Sequence, residues 1–119
     1  GVAHVGDAFS VGVPQDASGE VQVGIRPRDL EIVNGAPPAD RLALRGRVVL
    51  AERLGRSVEL AVDVAGVQVI TVTSDHRVHE GDDLALAVDW DRVHVFAADG
   101  TRLGAARRPE GAALAGGTR

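Results

Sequence analysis

The chain lacks several residue types that often reveal chemistry. Its 119 residues include no cysteine, so there is no disulfide framework and no cysteine-based metal site. Lysine is absent too, because all 13 basic residues are arginine. A phosphate-binding loop of the form Gly-x-x-x-x-Gly-Lys-Ser/Thr therefore cannot form, and ATP hydrolysis through such a loop is excluded. We expect a protein that is not itself an enzyme.

Aromatic residues and net positive charge are also scarce. Aromatic side chains make up 3% of the chain, tyrosine is absent, and the formal net charge is -4. Binding of single-stranded nucleic acid needs stacking aromatic side chains and a basic groove, so oligonucleotide binding is disfavoured. No apolar run approaches the roughly 20 residues of a membrane helix, and no signal peptide is visible, so neither membrane insertion nor secretion is expected.

What the chain does contain favours β structure. Hydrophobic residues account for 45% of it, and among them β-branched valine is prominent, while 15 glycines and 5 prolines supply turns. Short alternating runs bounded by turn residues recur, with Val58, Leu60, Val62 and Val64 expected to face inward from one of them. The predicted strands are 8–13, 20–25, 29–33, 42–54 with a kink near Gly46, 57–64, 67–73, 84–90 and 93–97.

The loop at residues 34–40 divides the predicted organisation. Residues 1–41 are expected to form an N-terminal β flap, made of strands and a linker that complete the domain. Residues 42–103, with about five strands, suit a small closed barrel of the OB-like type, although a sandwich would show a similar pattern. Residues 104–119 lack any period and are expected to form a disordered, flexible tail. The predicted class is all-β.

Candidate reactive groups do not form a catalytic or metal-binding pattern. His76 and His79 lie three residues apart without a third ligand, so a solvated loop is favoured over a metal site. The serines lack a Gly-x-Ser-x-Gly context, and the adjacent Asp82 and Asp83 suit a turn rather than paired catalysis. We therefore expect no catalytic residue, no cofactor and no metal.

Four segments together carry a resemblance to a known family, in the order and spacing typical of it. They are Gly24-Ile25-Arg26-Pro27-x-Asp29, Gly46-x-Val48-x-x-x-Glu52-x-Leu54-Gly55, Glu80-Gly81-Asp82, and Arg92-Val93-His94-Val95-Phe96-x-x-Asp99-Gly100. Over residues 9–103 the chain resembles the C-terminal regulatory TOBE domain of maltose-type, sugar-importing ABC ATPases. Two positions differ: Arg28 stands where the family most often has glutamate, and Ala97 where it often has aspartate.

The resemblance implies a non-catalytic regulatory and dimerisation domain whose ATPase domain is absent from this chain. Its implied partners are a second copy of itself, the nucleotide-binding domain of the same ATPase and, indirectly, the membrane subunits of the transporter. Its implied location is the cytoplasm, peripheral on the inner face of the cell membrane. Since some TOBE-like barrels bind molybdate or tungstate, the alternative is an oxyanion-binding module. For that alternative, candidate ligands are Thr71, Thr73, Ser74 and Arg77.

A contact surface for a partner or a second copy is expected in two places. Arg26 and Arg28 flank Pro27 in a rigid extended segment that could receive an acidic partner. Trp90 is expected to be buried at one end of the barrel, but would mark a contact surface if exposed. The full set of candidate contact residues is Arg26, Pro27, Arg28, Trp90, Arg92, His94 and Phe96.

Overall fold

The structure, a computed structural model, describes residues 1–15, 17–36 and 38–109. Within these residues the chain forms ten strands and two short 3-10 helices, η1 at Pro27–Asp29 and η2 at Trp90–Arg92. No helix in this part of the chain is long and apolar enough to span a membrane. The strands are β1 Val2–Val5, β2 Phe9–Gly12, β3 Val21–Ile25, β4 Glu31–Val33, β5 Arg41–Leu54, β6 Ser57–Val64, β7 Val67–Thr73, β8 Asp83–Asp89, β9 Val93–Ala97 and β10 Arg102–Ala105.

The strands pair in antiparallel fashion in three sheets. The largest has the order β4-β8-β5-β6-β7, a second has the order β10-β9-β3, and β1 pairs with β2. Strands that are distant in sequence are thus neighbours: β3 pairs with β9, and β4 with β8. Two of the N-terminal strands, β3 and β4, thus join sheets that contain later strands, whereas β1 and β2 form a two-stranded sheet of their own. The all-β prediction is confirmed.

One hydrophobic core joins these sheets. The inward face predicted for β6 is confirmed, because Val58, Leu60, Val62 and Val64 are all buried, although Ala61 on the opposite face is buried as well. Valines of β2 and β9 belong to the same buried cluster as those of β6. Strand β8, which lies between β4 and β5 in the large sheet, is buried on both faces over four successive residues. Alanines at two of those positions leave room for the neighbouring elements.

The two edges of the large sheet approach each other and give the OB-like barrel. Strand β7 is one edge and β4 the other. Thr71 of β7 is fully buried, and its hydroxyl donates a hydrogen bond to the carbonyl of Leu30, the residue before β4. The same hydroxyl lies 3.4 Å from the carbonyl oxygen of Pro27 in η1. A side-chain hydroxyl therefore contributes to closure where the edges do not pair as a ladder.

Strand β5 bends, as the sequence predicted. Its first half pairs with β8, and from Arg47 onward it pairs with β6. The register shifts between Val48 and Leu50, which marks a β-bulge just after the expected kink at Gly46. A Cβ at Gly46 would collide with the backbone carbonyl of Asp63 and lie 2.7 Å from a Val62 methyl. Glycine here permits the close approach of β5 to β6.

The predicted start of the flexible tail at Gly104 is wrong. Strand β10 continues to Ala105, Ala106 is buried, and the backbone of Arg107 exchanges two hydrogen bonds with Gly12. Weak strand propensity in this glycine- and alanine-rich stretch is outweighed by pairing with β9 and by packing of Leu103 on the core. Residues 110–119 of the predicted tail lie outside the described residues.

Candidate functional site

Four of the seven predicted contact residues lie around one groove, which we call the basic groove. Its volume is about 450 Å³, and it lies between η1 and the face of the three-stranded sheet that points away from the core. The other three candidates, Arg28, Trp90 and Arg92, do not line this groove. The basic groove is lined by, among others, Gly24, Arg26, Pro27, His94, Phe96 and Arg102.

Strand pairing explains how these residues meet. In β9, Val93 and Val95 are buried, which leaves His94 and Phe96 on the opposite face. Phe96 lies opposite Arg102 of β10 in the register. Gly24 lies opposite His94 in β3, and a Cβ on Gly24 would be 3.0 Å from the Phe96 ring. The glycine thus allows the aromatic ring to lie across β3.

His94 has one ring nitrogen engaged and the other without a partner. Its Nδ1 lies 3.2 Å from Nε and 3.1 Å from Nη2 of Arg102. A guanidinium only donates hydrogen bonds, so Nδ1 accepts and the ring proton lies on Nε2. This Nε2 is buried and has no hydrogen-bond partner within the described part of the chain. The groove wall therefore contains an unsatisfied donor.

The short helix η1 is held from two sides. Its Asp29 carboxylate lies 3.5 Å from Nη1 of Arg92, and its other carboxylate oxygen is buried without a partner among the described residues. On the other side, the Thr71 hydroxyl contacts the carbonyls of Pro27 and Leu30. Backbone atoms of η1 are thus tied to β7, and its acidic side chain to η2. Because Arg26 immediately precedes η1, these contacts also restrict the position of its backbone.

The remaining contact candidates differ from one another. Arg28 is exposed on a second groove beside Val72, separate from His94 and Phe96. Arg92 is occupied by Asp29. Trp90 is half-buried and packs against the core, and its indole Nε1 is buried without a partner in the described chain. The expectation that Trp90 anchors the core is thus met only in part, since the ring keeps some exposure at the start of η2.

The residues considered for oxyanion binding do not assemble an anion site. The Thr71 hydroxyl is buried and already donates to a carbonyl. The Arg77 guanidinium forms contacts of 3.0 and 3.1 Å with the Asp75 carboxylate. The side-chain hydrogen bond from Arg77 lowers the pKa of Asp75 to about 2. A fixed carboxylate beside the only guanidinium of this set repels an incoming anion.

One histidine of the loop after β7, His76, is engaged by two arginine residues. Nδ1 of His76 lies 2.8 Å from Nη1 of Arg53, and its Nε2 lies 3.0 Å from the carbonyl oxygen of Arg56. Among residues 1–15, 17–36 and 38–109, no group of three or more His, Asp or Glu side chains is arranged to hold a metal. His76 therefore serves to tie its loop to the turn between β5 and β6.

Sequence reasoning missed Arg102. The pair Asp99-Gly100 is typical of a hairpin turn, and the structure has a turn there with a hydrogen bond of 2.9 Å from the Gly100 amide to the Ala97 carbonyl. The strand after that turn was not predicted. A hairpin at Asp99-Gly100 implies a second strand antiparallel to β9, and that strand places Arg102 beside Phe96. The turn was thus the available signal.

Comparison with known proteins relates this fold to one domain family. Residues 23–96 match the TOBE domain family. Over 101 residues the chain is 31% identical to the molybdate/tungstate import ATP-binding protein WtpC of Pyrococcus horikoshii. The alignment includes 80% of this chain but 29% of the relative, so this chain spans less than a third of that protein's length. The family match includes most of the basic groove and ends before Arg102.

Proposed function

This chain belongs to the TOBE domain family, and from that premise we propose that it is a non-catalytic regulatory domain of an ABC importer ATPase. The observation that carries the proposal is the similarity to an import ATP-binding protein of which this chain matches less than a third. The chain has no lysine for a phosphate-binding loop, so hydrolysis belongs to a different domain. The domain acts from the cytoplasmic face of the membrane, through the transporter to which that ATPase belongs.

The mechanism we propose is mechanical. Two copies of the domain associate and hold their ATPase domains close together, which raises the effective concentration for closure around ATP. An effector or partner bound to the domain shifts this closing equilibrium by its difference in affinity for the two states. Candidate contact residues for the second copy or another partner are those predicted from sequence, with Arg26, Pro27, His94 and Phe96 gathered in one groove.

The solute is a separate question, with two candidates. The resemblance seen in the sequence suggested a sugar importer, but the comparisons provide no support for a sugar. The name of the relative specifies molybdate and tungstate, which favours the second candidate, a domain of an oxyanion importer that responds to the oxyanion. In the set Thr71, Thr73, Ser74 and Arg77, the Thr71 hydroxyl and the Arg77 guanidinium are already occupied, which argues against this set as the source of that response.

The coding context tests the assignment to an ATPase. We expect the reading frame upstream of Gly1 to encode a nucleotide-binding domain with a Gly-x-x-x-x-Gly-Lys-Ser/Thr loop. A stop codon upstream, with a start codon at or near Gly1, would remove the basis for an accessory ATPase domain.

Self-association is tested on the chain itself. We expect sedimentation equilibrium of the 119-residue chain to show a concentration-dependent monomer–dimer equilibrium. A single monomeric species up to millimolar concentration would contradict the dimerisation role.

Calorimetry separates the two solute candidates. Molybdate, tungstate, sulfate and maltose are titrated separately into the chain at fixed ionic strength. Heat that saturates with molybdate and tungstate, but not with sulfate, supports the oxyanion response. Saturation with maltose alone contradicts it, and the absence of heat with all four shows that the domain does not bind solute directly.

A further inference from the structure

We propose that the basic groove is a docking site for an acidic segment of a partner protein, with one carboxylate of that segment held between Arg26 and Arg102. The proposal rests on the charges, the unsatisfied donor and the apolar surface of the groove. It does not depend on the ATPase assignment, because a docking site of this kind would serve any partner with the right chemistry.

The charge of the groove is unlike that of the chain as a whole. The protein carries a formal net charge of -4, yet no acidic residue lines this groove. Arg41, Arg47, Arg77 and Arg92 each pair with a carboxylate. Within the described residues, Arg26 and Arg102 form no such pair. Two guanidiniums facing one concavity without a counter-ion create a local positive potential that attracts a carboxylate.

His94 adds a second reason for an acceptor to bind here. Its Nε2–H is buried in the groove wall and has no partner in the described chain. A buried donor without a partner costs about 1–3 kcal/mol. Because this atom is buried, a carboxylate oxygen reaches it only after a local side-chain rearrangement, and the contact then recovers part of that cost. The Arg102 guanidinium fixes the imidazole orientation by occupying Nδ1.

The apolar surface of the groove favours a peptide over a free inorganic ion. Phe96 and Pro27 are both half-buried and line the groove beside the two arginines. A volume of about 450 Å³ is far more than a single small oxyanion fills. An acidic side chain delivered on a segment that also carries an apolar residue matches both parts of the surface.

The groove is also rigid on the side of η1. The contacts of Thr71 with the carbonyls of Pro27 and Leu30, and of Arg92 with Asp29, fix the backbone next to Arg26. A fixed binding surface loses less conformational entropy when its ligand binds. This preorganisation favours the groove over the other exposed arginines as the docking site.

The test is an NMR titration of the isotope-labelled 119-residue chain with two eight-residue peptides. One contains Leu-Asp-Glu-Leu between glycine and serine residues, and its control contains Leu-Asn-Gln-Leu in the same frame. We expect the acidic peptide to produce saturable shifts of the amides of Gly24, Arg26, Phe96 and Arg102, and the neutral peptide to produce none that saturate.

Matched variants connect the shifts to the groove. Arg102→Gln and, separately, Arg26→Gln should weaken binding of the acidic peptide about two- to fivefold, the range for an exposed ion pair. Arg45→Gln removes an exposed arginine of β5 that does not line the groove and should leave the affinity unchanged. Far-ultraviolet circular dichroism checks that each variant is folded. Arg26→Gln leaves the hydrogen bond between Arg102 and His94 intact, so a folding defect in Arg102→Gln does not remove the test.

Four outcomes overturn the proposal. They are equal binding of both peptides, no saturation by the acidic peptide, equal weakening by Arg45→Gln and by the groove variants, and binding of acetate or molybdate as tightly as the peptide. The last result would make the groove a small-anion site.

Discussion

Replacing Thr71 with valine tests how the barrel is closed. Valine has nearly the shape of threonine but cannot donate a hydrogen bond, so the change removes the hydroxyl contact with Leu30 and Pro27 while keeping the packing. Because Thr71 is fully buried, water cannot replace the lost donor without rearrangement. We expect the variant to fold but to be less stable.

The size of the loss follows from the groups involved. A hydroxyl has one proton, so it satisfies chiefly the nearer carbonyl, that of Leu30, which is itself almost fully buried. Leaving a buried acceptor with one bond fewer costs about 1–3 kcal/mol. A central value of about 2 kcal/mol corresponds to a change of about 30-fold in the unfolding equilibrium. For a domain of this size it lowers the Tm by about 8 °C.

Urea unfolding followed by the fluorescence of Trp90, the single tryptophan, measures this loss. Thr71→Ser is the matched control, since it keeps the hydroxyl and loses one buried methyl group, at a cost of about 1 kcal/mol. Amide hydrogen exchange separates the two effects. Thr71→Val should speed exchange in the β4–β8 ladder, which includes Ile32, more than Thr71→Ser does.

Two results would refute this reasoning. If Thr71→Val is within about 0.5 kcal/mol of the parent, the hydroxyl contributes nothing to closure. If Thr71→Ser is the less stable of the two variants, the methyl group matters more than the hydrogen bond, and closure depends on packing alone.

Two further predictions concern β5 and the loop after β7. Gly46→Ala should destabilise the fold by about 2–4 kcal/mol in urea unfolding, because the added Cβ meets the β6 backbone, whereas Arg45→Ala should change it by less than about 0.5 kcal/mol. Equal stability of the two variants would contradict the close approach of the strands. In a carbon-13 NMR titration Asp75 should titrate with a pKa of about 2, below its ordinary value of 3.8, and Arg77→Gln should raise that pKa towards 3.8. The stabilisation linked to the ionised Asp75 carboxylate should be fully present above pH 3.8 and lost as the pH falls towards 2. An NMR titration midpoint of Asp75 near pH 3.8 in the parent chain would show that the ion pair does not form in solution.

The arrangement of the basic groove bears on how a regulatory domain can sense a partner. Thr71 joins β7 to η1, and Arg26, the residue immediately before η1, lines the groove. Loss of the Thr71 contact at the barrel closure can therefore shift η1 and, with it, Arg26 in the docking surface that we propose. Thr71→Val should alter the amide shifts of residues in η1, and unchanged shifts there would separate barrel closure from the groove.

Much of the strand pattern was predictable from local sequence. The period-two alternation of β6 correctly predicted its buried face, and glycine with a following bulge accounted for the bend in β5. Strand β3 ends at Ile25, two residues before Pro27, which cannot donate to a ladder and begins the 3-10 helix η1 rather than the extended segment expected. These features depend on residues close together in the chain, so each carries its own signal.

The composition of the site was only partly predictable. Arg26, Pro27, His94 and Phe96 were proposed as contacts and do line one groove. Arg28 lines an adjoining groove that shares Arg26 and Pro27 with the first, and Arg92 is occupied by Asp29. Arg102 was missed because β10, with its glycine and alanine, has weak strand propensity and forms by pairing with β9.

The sequence by itself determined that this chain is all-β, that it lacks the lysine needed for a phosphate-binding loop, and which residues alternate within each strand. Only the tertiary structure decided that β3 pairs with β9, that β8 is buried on both faces, and that the Thr71 hydroxyl meets the Leu30 carbonyl. The physical reason is that alternation is set by the backbone geometry of one strand, whereas the choice of neighbouring strands is set by contacts between residues far apart in the chain.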